Sequence, residues 1–400
     1  MKLKPKRITN YIYLFLLLAL SGNPFFSIGE DHAQYIFAVF VLLIALKHYI
    51  YFNTNKSKLF FRYILIFSGI FFLQGIVLGF VSISGAIGFL LKITLGFIII
   101  VRLGATFKNN YFNVLFVLSA ISIVGYLYNL LLGDIPALYY RENTNIYSDN
   151  SLRSVIIFNQ LADGFRNSGM FWEPGAFACY INLTFLFYLG RLRALLKTNK
   201  FKVLIILIAL ITTYSTTGYF VFFLIIITTI FTEFSRKYKF ITIPIAALFV
   251  IGGFMLYQNL EFLNDKINRQ YEITKSLEGD FSNTRFGSLV FDWHYIKKHP
   301  LVGNGIHSST RYADHPWLQE GALGHGNGFS NFLASMGVIS LFLYSFFILK
   351  YNTNHPWIFL IAIFALMQGE QLMNYPLFLS LPFIFIYEKY YRSPAYLSQS

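Results

Sequence analysis

Long apolar stretches alternate with polar connections along almost the whole 400-residue chain. A helix that crosses the roughly 30 Å apolar core of a bilayer needs about 20 mostly apolar residues. The pattern predicts an all-α polytopic membrane protein with about 12 transmembrane helices. The predicted spans are 8–27, 34–52, 63–82, 84–101, 112–132, 174–190, 203–217, 218–232, 240–257, 329–348, 356–371 and 375–388.

The apolar run 203–232 is long for one crossing and short for two. Basic clusters flank it on both sides, at 191–202 and at 236–239. Because basic flanks stay on the cytoplasmic side, the chain must cross outward and return, or form a re-entrant pair. We expect the break near Ser215-Thr216-Thr217-Gly218, where polar residues and a glycine interrupt the helix.

Charge supports the membrane assignment and orients the protein. Only 12% of the residues are charged and 56% are hydrophobic, whereas soluble proteins carry about 25% charge. In a soluble protein, a net charge of +14 would suggest binding to nucleic acid. Here 20 of the 32 Lys and Arg residues fall in the predicted cytoplasmic connections, and Lys47 lies at the cytoplasmic end of a predicted span. The positive-inside rule therefore explains the charge better, and it places both termini in the cytoplasm.

Two long connections are predicted at the outer face, residues 133–173 and 258–328, within a single integral membrane domain, 1–400. Connections of this length are usually functional or disordered. Both contain Trp, Arg and Gly, and the second also contains five histidines, which is not a disordered composition. We expect the functional residues in these two outer loops.

Arginine is the residue type best suited to phosphate and pyrophosphate, because its planar fork makes paired charge-assisted hydrogen bonds. The alternative for any one outer-loop arginine is contact with lipid headgroups or with a nearby acid. Taken together, the outer-loop arginines indicate ligand binding, because the positive-inside rule predicts few arginines on this face. The outer-loop arginines are Arg141, Arg153, Arg166, Arg269, Arg285 and Arg311.

Three further residues are candidates for proton transfer or for an intramembrane role. Glu173 precedes Pro174, so it lies at a predicted helix start and is a candidate base or a simple helix-start acid. His325, in Gly-His-Gly-Asn-Gly, is a candidate base or an interfacial histidine. The histidine spacings match no compact metal motif, so no metal and no cofactor are expected. Lys92 is an intramembrane charge that lines a cavity or pairs with Glu370.

Four motifs in order resemble those of the bacterial O-antigen polymerase and O-antigen ligase superfamily. Arg166 to Gly175 resembles an Arg-x-x-Gly-x-Phe-x-(Glu/Asn)-Pro stretch, and 212–218 resembles a Ser-Arg-x-Gly turn. Residues 285–305 resemble an arginine-led helix that ends in Pro-Leu-x-Gly-x-Gly. Residues 325–339 resemble a His-Asn pattern followed by Gly-x-Ile. Two departures stand out: Thr216 replaces the family's arginine, and Gly326 separates His325 from Asn327.

The resemblance implies a metal-independent glycosyltransferase at the outer face of the bacterial inner membrane. Its substrates would be an undecaprenyl-pyrophosphate-linked glycan donor and a lipid-linked repeat-unit acceptor, with a chain-length regulator as a candidate protein partner. The implied pyrophosphate ligands are Arg166, Arg285, Arg153 and Arg311, the candidate bases are Glu173 and His325, and the supporting residues are Gly169 and Asn327.

Three other functions remain open at this point. A ligase would share the donor chemistry but transfer the glycan to lipid A–core or to a protein. A transporter or flippase of lipid-linked sugars would concentrate charges at the bilayer midplane, often in two repeated halves. A structural membrane protein would not require the set of arginines and histidines.

Overall fold

The computed structural model describes residues 5–24, 31–48, 57–133, 141–144, 151–155, 157–161, 166–233, 272, 284–307, 310 and 326–391. This part of the chain is mostly helical, which confirms the predicted helical architecture. The predicted span 240–257 and much of the loop 258–328 lie outside the described residues.

The helices follow the predicted apolar stretches, with shifted ends. They are α1 (Pro5–Ala19), α2 (Asp31–Lys47), α3 (Ser57–Leu78), α4 (Ile83–Leu103), α5 (Phe107–Leu132), α6 (Pro174–Phe187), α7 (Leu192–Thr198), α8 (Lys200–Thr212), α9 (Thr216–Glu233), α10 (Arg285–Lys298), α11 (Gly328–Tyr351), α12 (Pro356–Met367), α13 (Pro376–Leu379) and α14 (Leu381–Tyr391). The predicted span 375–388 is thus divided at Ser380. The Ser380 hydroxyl donates back to carbonyls of the preceding turn, a contact that often bends helices.

Four helical segments in the described residues are long and apolar enough to cross a membrane: Ser57–Leu78, Ile83–Leu132, Thr216–Glu233 and Gly328–Tyr351. The segment Ile83–Leu132 contains α4 and α5, which are joined by a 3-10 turn at Gly104–Thr106. A fifth candidate is the pair α6 and α7, bent by 100°, if it counts as one span. These segments make the chain a multi-pass membrane protein.

The first predicted outer loop contains the exception to the all-helical expectation. Three short strands, β1 (Arg141–Thr144), β2 (Ser151–Val155) and β3 (Phe158–Leu161), form an antiparallel sheet in the order β1-β2-β3. Arg153 lies opposite Glu142 on β1 and Gln160 on β3. The sheet leads toward the segment that enters α6.

Helix α6 lies at the centre of the bundle, because every one of its residues is buried. A helix that is apolar on all sides is stable where neighbouring helices cover it completely. Helices α5, α8 and α9 pack against it, and the Tyr111 hydroxyl on α5 donates to the Tyr180 carbonyl at 2.9 Å. The N-terminus of this central helix therefore has a fixed position.

The apolar run 203–232 forms two helices, α8 and α9, as its flanking charges predicted. The break is the turn Thr213–Ser215, close to the expected position. Tyr214 has a φ of 48° in this turn, a left-handed conformation that is uncommon for a residue with a Cβ atom. Such a conformation persists where the surrounding contacts enforce it, often at a functional site.

Helix α11 is kinked at Gly337, whose φ is 71°. The kink exposes the amides of Val338 and Ile339, which donate to the carbonyls of Pro300 (2.9 Å) and Leu301 (3.2 Å). A Cβ atom at Gly337 would lie 2.2 Å from the Leu301 oxygen, so only glycine allows this approach. The Pro-Leu-x-Gly-x-Gly and Gly-x-Ile motifs are therefore two halves of one packing contact.

Candidate functional site

The segment that enters α6 is anchored to α5 and α8. The Asn167 amide nitrogen Nδ2 donates to Ser122 Oγ (3.1 Å) and to Thr212 Oγ1 (3.0 Å). The Asn167 Oδ1 atom accepts from the Gly169 backbone at 3.0 Å. Gly169 has a φ of 57°, and a Cβ there would lie 3.0 Å from the Phe177 ring. Gly169 therefore lets the chain turn tightly beside Arg166, and its supporting role in a functional site stays a prediction.

Arg166 binds the turn between α8 and α9. Its Nε donates to the Thr213 carbonyl at 3.2 Å, and its Nη2 donates to the Tyr214 carbonyl at 3.4 Å. Burial lowers the pKa of Arg166, and the nearby carboxyl groups of Glu173 and Glu370 oppose that shift. The guanidinium remains charged, because its ordinary pKa is far above neutral.

Arg285, at the start of α10, reaches the first turn of α9, directly after the turn that Arg166 binds. Thr284 caps this helix, since its Oγ1 accepts from the Gly287 amide at 2.9 Å. Arg285 Nη1 donates to Thr217 Oγ1 at 3.0 Å. Thr216 stands where the family has an arginine, and its neighbour Thr217 supplies the contact that holds Arg285. The turn therefore brings the two predicted arginines together.

Glu173 is the N-cap residue of α6, and Pro174 occupies the first turn. The Glu173 side chain makes no capping hydrogen bond, so its carboxylate is directed elsewhere. A Cβ atom added to Gly175 would lie 3.3 Å from Glu173 Oε1 and 2.1 Å from Glu370 Oε1. The two carboxyl groups therefore lie close together beside Gly175.

Glu370 completes the cluster from the connection that follows α12. The preceding residue, Gly369, lies close to Arg285: a Cβ atom added to Gly369 would be 3.1 Å from Arg285 Nη2. The charges of Glu173, Arg285 and Arg166 all act on Glu370. Within the described residues none of these four groups forms an ion pair, whereas Lys108 and Glu388 do so at 2.8 Å. The two guanidiniums therefore do not neutralise the carboxylates by direct contact.

Asn327 fixes the start of α11 next to this cluster. Its Oδ1 accepts from the amides of Phe329 and Ser330, both at 3.1 Å, and its Nδ2 donates to Gln368 Oε1 at 2.8 Å. The Gly326 amide donates to Ser288 Oγ on α10 at 2.8 Å. Asn327 therefore supports the site by joining α11 to the connection that carries Glu370.

The structure brings together three of the predicted site residues, Arg166, Glu173 and Arg285. Arg311 and His325 lie outside the described residues, and Arg153 is described only as a backbone position in β2. The suggested pairing of Lys92 with Glu370 is wrong for the described structure, in which these two residues form no ion pair. The reason is that Glu370 turns toward the N-terminus of α6.

Sequence reasoning missed the roles of Thr217 and Glu370. An acid within an apolar stretch, as in Gly369-Glu370-Gln371, was a usable signal, because intramembrane charges are expensive and usually functional. No comparable signal marked Thr217. Its hydroxyl gains significance only from the approach of Arg285, 68 residues further along the chain.

Residues 201–345 match the family model described as O-Antigen ligase. The match includes the turn between α8 and α9, all of α10 and the kinked start of α11, and thus three of the four motifs. Comparison with curated proteins and with solved structures finds no match. The family match supports an enzyme of the O-antigen ligase and polymerase type. It confirms the resemblance of this chain to the O-antigen polymerase and ligase superfamily.

Proposed function

We propose that this protein polymerises O-antigen or a related surface polysaccharide. It transfers a growing glycan from undecaprenyl pyrophosphate to a lipid-linked repeat unit at the outer face of the bacterial inner membrane. The observation that carries the proposal is the convergence of Arg166 and Arg285 on the α8–α9 turn and the adjacent start of α9, beside the carboxyl groups at the start of α6. This arrangement combines cationic groups for a pyrophosphate with an acid–base group.

The proposed reaction is attack by an acceptor hydroxyl on the anomeric carbon of the donor sugar. The bond from that carbon to the pyrophosphate oxygen breaks, and its electron pair leaves with the lipid pyrophosphate. Arg166 and Arg285 stabilise this developing charge, as preorganised donors do in other transfer reactions. Glu173 or His325 accepts the hydroxyl proton. Because guanidiniums supply the positive charge, the proposal requires no metal.

The hydrogen-bond geometry fits a binding role for the arginines. Each guanidinium has five N–H donors, and in the described residues Arg285 uses one of them and Arg166 two. Both side chains are only partly buried. Each therefore retains donors for the oxygen atoms of a pyrophosphate, while its contact with the turn fixes its position.

The proposal includes the twelve-span arrangement, with both termini in the cytoplasm and the loops 133–173 and 258–328 outside. Arg153 and Arg311, in these loops, are proposed as further pyrophosphate contacts. Loop aromatic residues are proposed to bind sugar faces, and a chain-length regulator is proposed as a partner.

Replacement of Arg285 tests the proposal in cells. In a strain that lacks the native gene, Arg285→Ala should abolish long chains while the protein stays at its normal level in the membrane. Lys297→Ala is the matched control, because Lys297 is a basic, exposed residue on the same helix. Long chains in the Arg285→Ala strain would contradict the proposal.

A ligase is the second candidate, and the description of the matching family favours it. The donor chemistry would be the same, but the acceptor would be lipid A–core or a protein. Loss of a polymerase leaves single repeat units attached to the final acceptor, whereas loss of a ligase leaves none. The Arg285→Ala strain therefore also distinguishes the two candidates.

A further inference from the structure

Glu370 is a buried acid that lies in the connection after α12, outside the helix itself. Only 4% of its surface is exposed. Its Oε1 has no hydrogen-bond partner among the described residues. Burial of an unsatisfied polar atom is costly, so a carboxyl group in this position requires an explanation from its neighbours.

Two glycines create the space that Glu370 occupies. The Glu370 Oε1 atom fills the position that a Cβ of Gly175 would take, at 2.1 Å. A Cβ at Gly328 would lie 2.0 Å from the Glu370 backbone oxygen. The starts of α6 and α11 therefore both press against this residue, and its side chain is held against Glu173.

Two ionised carboxylates cannot form a hydrogen bond with each other, because both are only acceptors. One proton between them supplies the missing donor and removes the repulsion of like charges. Burial raises the pKa of Glu370 well above its ordinary value, and the neighbouring Glu173 raises it further, while Arg285 and Arg166 partly oppose the shift. The shared proton therefore belongs on Glu370.

Glu173 is the better placed of the two to remain ionised. It occupies the N-cap position of α6, where the helix dipole favours a negative charge. It is also less buried than Glu370. The pair is thus asymmetric, with a buried neutral acid behind a more accessible carboxylate whose charge acts on Arg166.

We propose that Glu370 is a positioning residue that donates a hydrogen bond to Glu173 and keeps Glu173 ionised as the proton acceptor of the site. This inference rests on the proposed function and selects Glu173 over His325. The acceptor O–H bond breaks and its proton moves to Glu173. The acceptor oxygen bonds to the anomeric carbon, and the pyrophosphate leaves with the electron pair of the broken bond.

The test compares Glu370→Gln, Glu370→Ala and Glu173→Gln in protein reconstituted with a lipid-pyrophosphate-linked repeat unit. A glutamine amide can donate to Glu173 as the neutral acid does, so Glu370→Gln should stay within about threefold of the wild-type kcat. Glu370→Ala should lower kcat by about 10- to 100-fold with little change in KM, and Glu173→Gln by about 100-fold or more.

The pH–rate profile separates positioning from general structural support. Without a donor at position 370, the ionised form of Glu173 loses a hydrogen bond, so the acid limb of the Glu370→Ala profile should move to higher pH. Glu370→Gln should keep the wild-type limb. An unmoved limb in Glu370→Ala, or Glu370→Gln as damaged as Glu370→Ala, would overturn the inference.

A spectroscopic measurement covers the case in which Glu370→Ala does not fold, and it does not depend on activity. Infrared spectra of the wild type at neutral pH should contain a protonated-carboxyl C=O band that Glu370→Gln lacks. If this band is missing from the wild type, the inference fails even when transfer is normal. If the wild type performs no transfer although the band is present, the proposed function fails instead.

Discussion

Gly175 gives the most specific prediction about the site, because the change is one methyl group. Gly175→Ala places a Cβ atom 2.1 Å from Glu370 Oε1. Carbon atoms of this kind essentially never approach an oxygen closer than 3.0 Å, so the Glu370 carboxyl group or the start of α6 must move by about 1 Å. Because only 4% of the Glu370 surface is exposed, its carboxyl group has little open space into which it could turn.

Such a movement would displace Glu173, the proposed proton acceptor, and a misplacement of about 1 Å costs about 100-fold in rate, equivalent to about 2.7 kcal/mol. We therefore expect Gly175→Ala to lower kcat for glycan transfer by about 100-fold, with a smaller change in KM for the lipid-linked donor. The assay is the release of lipid pyrophosphate by purified, reconstituted protein, with the extended glycan measured in parallel.

Gly69→Ala is the matched control, because Gly69 lies in the long helix α3 and a Cβ there would meet nothing within 4 Å. This variant should retain wild-type activity. It should be about 0.5–1 kcal/mol more stable, because alanine loses less backbone freedom than glycine when the helix folds. Both variants should leave detergent extraction and size-exclusion behaviour unchanged. Wild-type activity in Gly175→Ala would refute the placement of Glu370 in the working site.

Four further changes test other contacts of the site. Arg285→Lys keeps the charge but loses the fork geometry, so it should retain only a small part of the wild-type kcat/KM in the same transfer assay. Thr217→Val removes the hydroxyl that holds Arg285 at 3.0 Å and should raise KM by about fivefold, equivalent to about 1 kcal/mol. Asn327→Ala removes the cap of α11 and should destabilise the protein by about 1 kcal/mol in thermal unfolding, whereas Asn327→Asp should keep the cap. Because folding raises the pKa of Glu370 above 4.5, the folded state holds this proton more tightly, so the free energy of unfolding should fall as pH rises above that value. Glu370→Gln should remove this part of the pH dependence, and an unchanged slope would contradict the assignment.

Much of the helical frame could be predicted because lipid imposes a simple rule on sequence. Apolar length and basic flanks predicted two helices in 203–232, and the structure places the break at Thr213–Ser215. The same rule could not predict the division at Ser380 or the kink at Gly337. Both depend on contacts with distant parts of the chain, such as the approach of Leu301 to Gly337.

The candidate site was predictable where a local motif determines the geometry. Glu173-Pro174 indicated a helix start and Arg285 the start of a second helix, and both are found there. The partners of these residues come from elsewhere in the chain. Thr217 and Glu370 join the site only because α9 packs against both α6 and α12. The sequence contains no local pattern that reveals this proximity.

The central claim is that Arg166 and Arg285 bind the pyrophosphate of a lipid-linked glycan donor. The most direct measurement is transfer in vitro by purified protein, in vesicles that contain an undecaprenyl-pyrophosphate-linked repeat unit. We expect extended glycan and released lipid pyrophosphate from the wild type and from Lys297→Ala, and neither product from Arg166→Ala or Arg285→Ala. Wild-type product formation by the Arg166→Ala/Arg285→Ala double variant would contradict it.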